Sequence, residues 1–296
     1  MKKQSELESI RRTALYLKVS GIGIIVIGVI LIMINVFNGG FNSLLLFVPV
    51  IIIGFILIFV SSGYESRYTE AVKATFVLEC LHKLFEQVQF DSTDGFQKNY
   101  IRDKELVKMG NIYHSNDLIS ASYKEIPFQM ADILIQDEST DSEGHTQTTT
   151  LFKGQWFIFQ FNKNFTGYLQ LRDRENRLFR NGKPYNIFSS RENTKRIEFE
   201  NDEFNNVFTS YASDDHEAFY LITPHFMEKL LHLKKQMDGE LLIGFIDNQL
   251  HIAHNSNRDF FEPSLWKEIG EDYINDVKED LRVITSIVDE LDLSKS

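Results

Sequence analysis

Between Lys18 and Glu65 the sequence contains no charged residue and no histidine. A stretch of that length without acid, base or imidazole leaves no group to relay a proton or hold an ion inside it, which argues against a conducting or transporting role. Cysteine occurs once, at Cys80, so an internal disulfide is excluded and a reducing compartment fits. A lone thiol on an amphipathic segment is also a poor start for a Cys–His nucleophile and reads as a small buried hydrophobe. No phosphate-binding glycine loop, dinucleotide-binding glycine fingerprint, GxSxG or HExxH occurs anywhere, which removes the common signatures of nucleotide, hydrolase and zinc-protease chemistry. No internal repeat is present either.

The uncharged stretch holds two apolar runs, Val19–Phe37 and Leu44–Val60, the second extended by Ser61. A bilayer core about 30 Å thick needs roughly 20 apolar residues in a helix rising 1.5 Å per residue, so each run is long enough to span. Asn38-Gly39-Gly40 breaks the pattern between them, since asparagine and paired glycines favour turns. So short a connection joins only neighbouring antiparallel helices. Pro49 sits inside the second run, where membrane helices tolerate it. A cleaved signal peptide fits less well: the first run is too long and a second follows at once. Gly21, Gly23, Gly28 and Gly54 permit close helix contact, though no GxxxG spacing occurs within either run. The plain reading is an anchor.

Orientation follows from the cations. Lys2, Lys3, Arg11, Arg12 and Lys18 precede the first run, none lies between the two, and Arg67 and Lys73 follow the second. Positive charge stays on the cytoplasmic side, so both termini are expected there, in a multi-pass protein of the cell membrane. The organisation read from this is a basic tail over 1–18, a hairpin over 19–62, an amphipathic stalk helix over 64–90 and a cytoplasmic α+β domain over 91–296.

The whole chain carries 31 Lys+Arg against 42 Asp+Glu, and without the tail 26 against 40. An acidic domain of that kind is no general nucleic-acid binder. Twenty-five phenylalanines promise an aromatic core. From Tyr64 to Val88 the apolar residues Ala74, Val77, Leu78, Leu81, Leu84, Phe85 and Val88 recur at helical spacing. Asp91–Gly95 is a turn cluster. Ile126–Glu138 alternates as a strand, and the polar stretch Ser139–Thr149 reads as a mobile loop. Thr150–Phe165 is the strongest strand signal, with Phe157, Phe159 and Phe161 on one face; Gly154 suggests a bulge within it. Thr166–Asp173 is expected to return as its hairpin partner.

Further on, Arg196–Phe204 reads as a short strand entering a helix capped by Asn201 or Asp202, and Thr209–Ser213 is extended. Asp214–Ile222 is helical, with carboxylates at the N-terminus. Thr223-Pro224 opens another helix, as cap and first-turn proline. Leu241–Ile246 and Gln249–His254 form a hairpin about Asp247-Asn248. A last helix is expected to carry Trp266, Ile269, Tyr273, Val277, Leu281, Ile284, Val288 and Leu291 as one seam, which docks on its own domain or on a second copy. The sheet built from Ile126–Asp173, Arg196–Phe199 and Leu241–His254 should be antiparallel and covered by the last two helices.

The segment Arg172–Arg196 carries eight cations against three acids in an otherwise acidic domain. Arg172, Arg174, Arg177, Arg180 and Lys183 are candidate contacts to anionic lipid headgroups, each worth about 1 kcal/mol near the surface at low salt. The plain alternative is a solvated loop paired with the domain's own carboxylates. The histidines offer little. His251 and His254 are three apart on a strand, hence on opposite faces; His225 and His232 share a helix face without a fixed acid; Asp214-Asp215-His216 reads as a helix start. No catalytic residue, metal ligand or cofactor site is assigned.

One resemblance joins these pieces. Phe152-Lys153-Gly154 with Phe157 and Phe161, Phe165-Thr166-Gly167, Glu203-Phe204, Phe208, Tyr211-Ala212, Asp214, Glu217-Ala218 and Thr223-Pro224 through Met227-Glu228 resemble a bacterial family of uncharacterised membrane proteins, the domain of unknown function 3137, over residues 64–290. The resemblance implies a membrane-anchored domain and carries over no activity. The expected function is therefore a membrane-anchored, non-catalytic binding or scaffolding module whose partners are the bilayer and a protein or second copy. The alternatives are an enzyme with an unfamiliar site and an accessory subunit of a channel or transporter. A cleft uniting two of Asp214, His216, His225, His251 and His254 would favour the enzyme.

Overall fold

The computed structural model describes residues 2–38, 44–160, 165–174, 179–180, 183–184 and 193–293. The chain divides into two compact units, Met1–Leu78 with Glu262–Asp276, and Glu79–Phe261 with Val277–Ser296.

In the first unit, α1 (Lys2–Phe37) and α2 (Leu44–Val72) are both long and apolar enough to cross a membrane. The basic tail is no separate piece, because Arg11, Arg12 and Lys18 ride on α1 itself. The helices touch closely where both lack side chains. A Cβ on Gly21 would stand 2.8 Å from the Gly54 carbonyl oxygen, and one on Gly54 2.8 Å from that of Gly21. Toward the basic end, Ser61 Oγ donates to the Ala14 carbonyl at 2.8 Å and Lys18 pairs with Glu65 at 2.8 Å. The α2 helix then widens into a π-helical turn, Lys73–Val77, which buries Lys73 to 2% exposure with its Nζ 2.5 Å from Glu262.

Along the chain there follow α3 (Leu78–Leu84), β1 (Glu86–Asp91), α4 (Lys98–Asp103), β2 (Ile112–Tyr123), β3 (Ile126–Thr140), β4 (Thr146–Gln160) and β5 (Leu169–Asp173). The short pair β6 (Phe179–Arg180) and β7 (Lys183–Pro184) comes next, then β8 (Lys195–Ile197), α5 (Asp202–Val207), β9 (Phe208–Ala212), α6 (Asp215–Leu221) and α7 (Pro224–Gln236). β10 (Glu240–Ile246), β11 (Gln249–Asn255) and α8 (Glu271–Leu291) complete the order. Nine strands form one antiparallel sheet in the order β1-β2-β3-β4-β11-β10-β5-β9-β8. The fold is mixed α+β.

Several local expectations hold. Asn201 caps α5, Asp214 caps α6 and Thr223 caps α7 with Pro224 in its first turn. The β10–β11 turn places Asp247 and Asn248 at φ 54° and 59°, the left-handed geometry of a two-residue hairpin. Other expectations are corrected. The stalk helix ends at Leu84, and Glu86–Asp91, which includes Val88, is an edge strand. Gln87, at φ 52°, lies within this strand, where its register on β2 shifts. Ile112–Tyr123, too rich in serine, asparagine and aspartate to read as a strand, is β2. The polar stretch after Glu138 extends the β3–β4 ladder to Thr140↔Thr146. The last helix starts at Glu271, leaving Trp266 and Ile269 outside it.

The largest correction concerns β4 and β5, which do not pair. The β10–β11 hairpin lies between them: β11 pairs with β4 and β10 with β5. Both hairpin strands are buried along most of their length on both faces, which is the demand of a central strand. The chain arriving at β5 passes the hairpin turn, where the Phe165 amide donates to Asn248 Oδ1 at 2.8 Å.

Aromatic and aliphatic residues fill both faces. On one, Phe128, Phe159 and Phe245 lie in register-related positions, and α7 packs there through Phe226 against Phe245 at 6.1 Å. The Lys229–Asp292 ion pair and the contact of His232 Nδ1 with Glu290 tie α7 to the end of the chain. The other face carries Ala131, Ile133, Trp156, Ile158, Leu242, Ile246 and Ala253, and is covered by Phe96, Ile101, Leu106 and Val107 of the β1–β2 connection. Gly244 makes that cover possible, because a Cβ there would stand 2.7 Å from Leu106.

Candidate functional site

The antiparallel register sets up one row across all nine strands on the face beneath the β1–β2 connection: Gln89, Ser120, Gln129, Ile158, His251, Gly244, Gln170, Tyr211 and Arg196. Such a row is unusual for a sheet interior, since a buried polar group costs free energy unless it is hydrogen-bonded. Gln170, in its central part, meets that demand. Gln170 Nε2 donates to the Leu106 carbonyl at 3.1 Å, and Arg172, two residues along, donates to Gln170 Oε1 at 3.1 and 2.9 Å. The Arg172 guanidinium also lies 4.3 Å from the Tyr211 ring centroid.

His251 is fully buried, with Trp156 Nε1 donating to its Nδ1 at 3.3 Å. Burial, with the Lys104 ammonium nearby as the next cause, holds the imidazole down at about 3, so it stays neutral at physiological pH. Tyr100 stands over this region, its hydroxyl 3.3 Å from Gln249 Oε1 and its ring 4.6 Å from the Lys104 ammonium. Lys104 in turn pairs with Asp247 at 2.8 Å.

Toward β1 the row emerges from under its cover and opens into a cleft of about 340 Å³. Gln87, Gln89, Ser120, Ala121, Pro127, Phe128, Gln129, Ile158, Gln160 and Gln249 line it. The volume lies within the range of ligand pockets. None of the ten residues is charged, although a quarter of the chain is. Each amide offers a donor and an acceptor, and Gln129 Nε2 uses one donor on Ser120 Oγ at 3.1 Å. Such a lining matches groups that also present a donor beside an acceptor. Among the described residues it has no charge to offset the desolvation of a charged ligand.

A second buried polar cluster lies on the opposite face. Asp132, 1% exposed, accepts from Gln155 Nε2 at 3.1 Å and from the Phe260 amide at 2.6 Å. Burial, and next the charge of Asp117, push its carboxyl well above the usual range. Gln155 also donates to the Arg258 carbonyl and accepts from Ser256 Oγ. These contacts pin residues 256–260 to the sheet. A sealed acid of this kind has no access to a reactant, and its work is structural.

The sequence-level candidates come apart in three dimensions. Arg172, grouped with the basic loop in the sequence, is 6% exposed inside β5. Arg174 is exposed and donates from Nε to Thr209 Oγ1 at 3.1 Å. Arg180 and Lys183 are register partners in the β6–β7 pair, and Arg177 lies outside the described residues. His251 and His254 point to opposite faces as expected, His254 Nε2 meeting the Asp238 carbonyl at 2.5 Å. His225 is exposed beside Glu228, and His232 contacts Glu290 at 2.7 Å. None of Asp214, His216, His225, His251 and His254 lines the amide cleft. Among the described residues no group of three histidine, cysteine or acidic side chains is placed to hold a metal ion.

The cleft itself is invisible in the sequence. Gln89 and Gln249 come from opposite ends of the domain, and only the strand order brings them to one surface. The one local trace is uncharged glutamine recurring at strand positions.

No curated protein and no solved structure matches the chain. Residues 150–293 match the family described as "Protein of unknown function (DUF3137)". The match begins at β4, so the hairpin and β1–β3, which the sequence resemblance included in part, lie outside it. From β4 to the end of α8 and just beyond, over residues 150–293, the chain carries a domain of unknown function 3137.

Proposed function

We propose that the protein is a membrane-anchored binding module that takes an uncharged peptide segment in the amide cleft. Several features support the anchor. α1 and α2 turn Ile27, Phe37 and Phe59 outward at 57%, 93% and 79% exposure, which water would penalise and lipid would not. The lysine and arginine distribution supports a cytoplasmic placement of both termini. Arg174, Arg177, Arg180 and Lys183 are proposed to touch anionic headgroups.

The observation that carries the binding role is that none of the described residues lining the cleft is charged. Glutamine side chains pair naturally with peptide groups, each partner giving one donor and one acceptor. β1, which supplies Gln87 and Gln89, is also the edge of the sheet, where backbone groups stand ready for an added strand. The test is a photo-crosslinking phenylalanine at position 129 in the full chain, compared with one at the exposed surface position 219. A peptide adduct at 129 alone, abolished by Gln89→Glu with Gln160→Glu, is expected. Equal labelling at both sites, or labelling unaffected by the two charges, would remove the cleft as the binding site.

A further inference from the structure

The segment Glu262–Ile269 runs as a strap along the base of the helical hairpin, within the first unit. Three contacts give its height. Glu262 meets Lys73 Nζ at 2.5 Å, the Leu265 carbonyl accepts from Arg11 Nη1 at 2.6 Å, and the Ile269 carbonyl accepts from Gln4 Nε2 at 3.5 Å. Lys73 lies thirteen residues beyond Val60, Arg11 eight before Val19 and Gln4 fifteen before it. At 1.5 Å per residue these levels are about 20, 12 and 22 Å from the ends of the apolar runs. The strap therefore rises toward the apolar region, peaks at Leu265–Trp266 and falls away again.

Its two apex residues face opposite ways. Leu265 is buried at 5% exposure, whereas Trp266 is 65% exposed. An indole left so open forgoes a large burial free energy in water, but suits the boundary between lipid and water, where its apolar ring and N–H both find partners. The headgroup layer adds about 5–7 Å outside the hydrocarbon on each side. The apex thus stands about 5 Å from that layer, within reach of a tryptophan side chain. Tyr16, three residues before Val19 and 74% exposed, places a second aromatic ring at headgroup level.

We propose that Trp266 is an interfacial anchor: the strap presents its indole to the lipid headgroup layer, with the neighbouring Lys267 ammonium available to anionic headgroups. The proposal rests on the bilayer reading of the hairpin. It assigns the strap a membrane contact of its own, beyond holding the hairpin base together.

The test uses the full chain reconstituted in vesicles of zwitterionic and anionic phospholipid. Trp156→Phe leaves Trp266 as the sole tryptophan. Should that core change unfold the protein, subtracting the spectrum of Trp266→Phe from the natural chain isolates the same signal. The expected result is blue-shifted emission, strongly quenched by a label near the lipid headgroup and weakly by aqueous iodide. A control carries Ile27→Trp in the Trp156→Phe, Trp266→Phe background, or is read by difference as above, and reports on quenchers deep in the acyl chains. If residue 27 is quenched from the acyl region while Trp266 is quenched by iodide, the anchor is refuted and the bilayer reading stands. If neither responds to lipid quenchers, the bilayer reading itself fails. Shielding of Trp266 from lipid and iodide alike would mean that protein covers it, which also overturns the proposal.

Discussion

His251 shows how one buried ring couples the fold to pH. The sheet holds it neutral, with its folded value at about 3 through burial and the Lys104 ammonium, partly opposed by Asp247. An unfolded chain takes up a proton below about pH 6.5. The stability it contributes is therefore present above pH 6.5 and is lost as the pH falls toward 3, at about 1.4 kcal/mol per unit. His251→Gln should flatten this acid limb when urea midpoints of the full chain in detergent are compared between pH 7.5 and 5. Parallel curves for the two proteins would contradict the assignment. Asp132 acts in the opposite direction. Its folded value is raised, first by burial and then by Asp117, so its contribution is present below about pH 3.9 and is lost as the pH rises through the folded value. Asp132→Asn keeps an acceptor for the Phe260 amide. It should gain stability relative to the natural chain on moving from pH 5 to pH 8, read by the same midpoints.

At the level of elements, the close meeting of β4 with the end of β11 depends on one residue. Gly154 has φ +155°, and a Cβ there would collide with the His254 carbonyl oxygen. The bulge on β4 falls elsewhere, on its other side, against the Ile135–Gln136 step of β3. Glycine is thus needed for the approach of the next strand, and Gly154→Ala should cost about 2–3 kcal/mol in unfolding free energy. The basic residues that follow β5 in the sequence are tested separately. Reversing the charge of Arg174, Arg177, Arg180 and Lys183 in a fragment of residues 79–296 should lower its pelleting with anionic vesicles by about fivefold per residue at low salt. Pelleting with neutral vesicles should not change. Arg172 is left out because its guanidinium is used on Gln170 and Tyr211 inside the unit. Equal pelleting of both proteins on anionic vesicles would show the segment to be a solvated loop.

For the whole molecule, the proposed topology predicts labelling from one side only. With Cys80 replaced by alanine, a cysteine at Asn38, between the two apolar runs, should react with an impermeant maleimide applied outside intact cells. One at Ser9 should react only after the membrane is opened. The reverse pattern would invert the protein, and extraction by alkaline carbonate would remove it from the bilayer altogether. The two-unit division adds a structural point. The first unit is completed by Glu262–Asp276, so the hairpin base takes its strap from a part of the chain nearly two hundred residues away in sequence.

What the amino-acid sequence determined by itself was local. An uninterrupted apolar run can lie only in lipid or in a core, and residues 19–60 leave no polar face. Asp247-Asn248, Thr223-Pro224, Asn201 and Asp214 announced a turn and three helix starts through side-chain chemistry acting over two or three residues. The α+β class followed from alternation against helical spacing. Tertiary structure alone decided the rest. The β10–β11 hairpin displaced the expected β4–β5 pairing, because strands that are apolar on both faces gain most at the centre of a sheet. That order sank Arg172 into the sheet and gathered five glutamines from four strands into one cleft. It rested on register between distant strands, set by packing across the completed sheet and by the closure of long loops, which no short window of sequence contains.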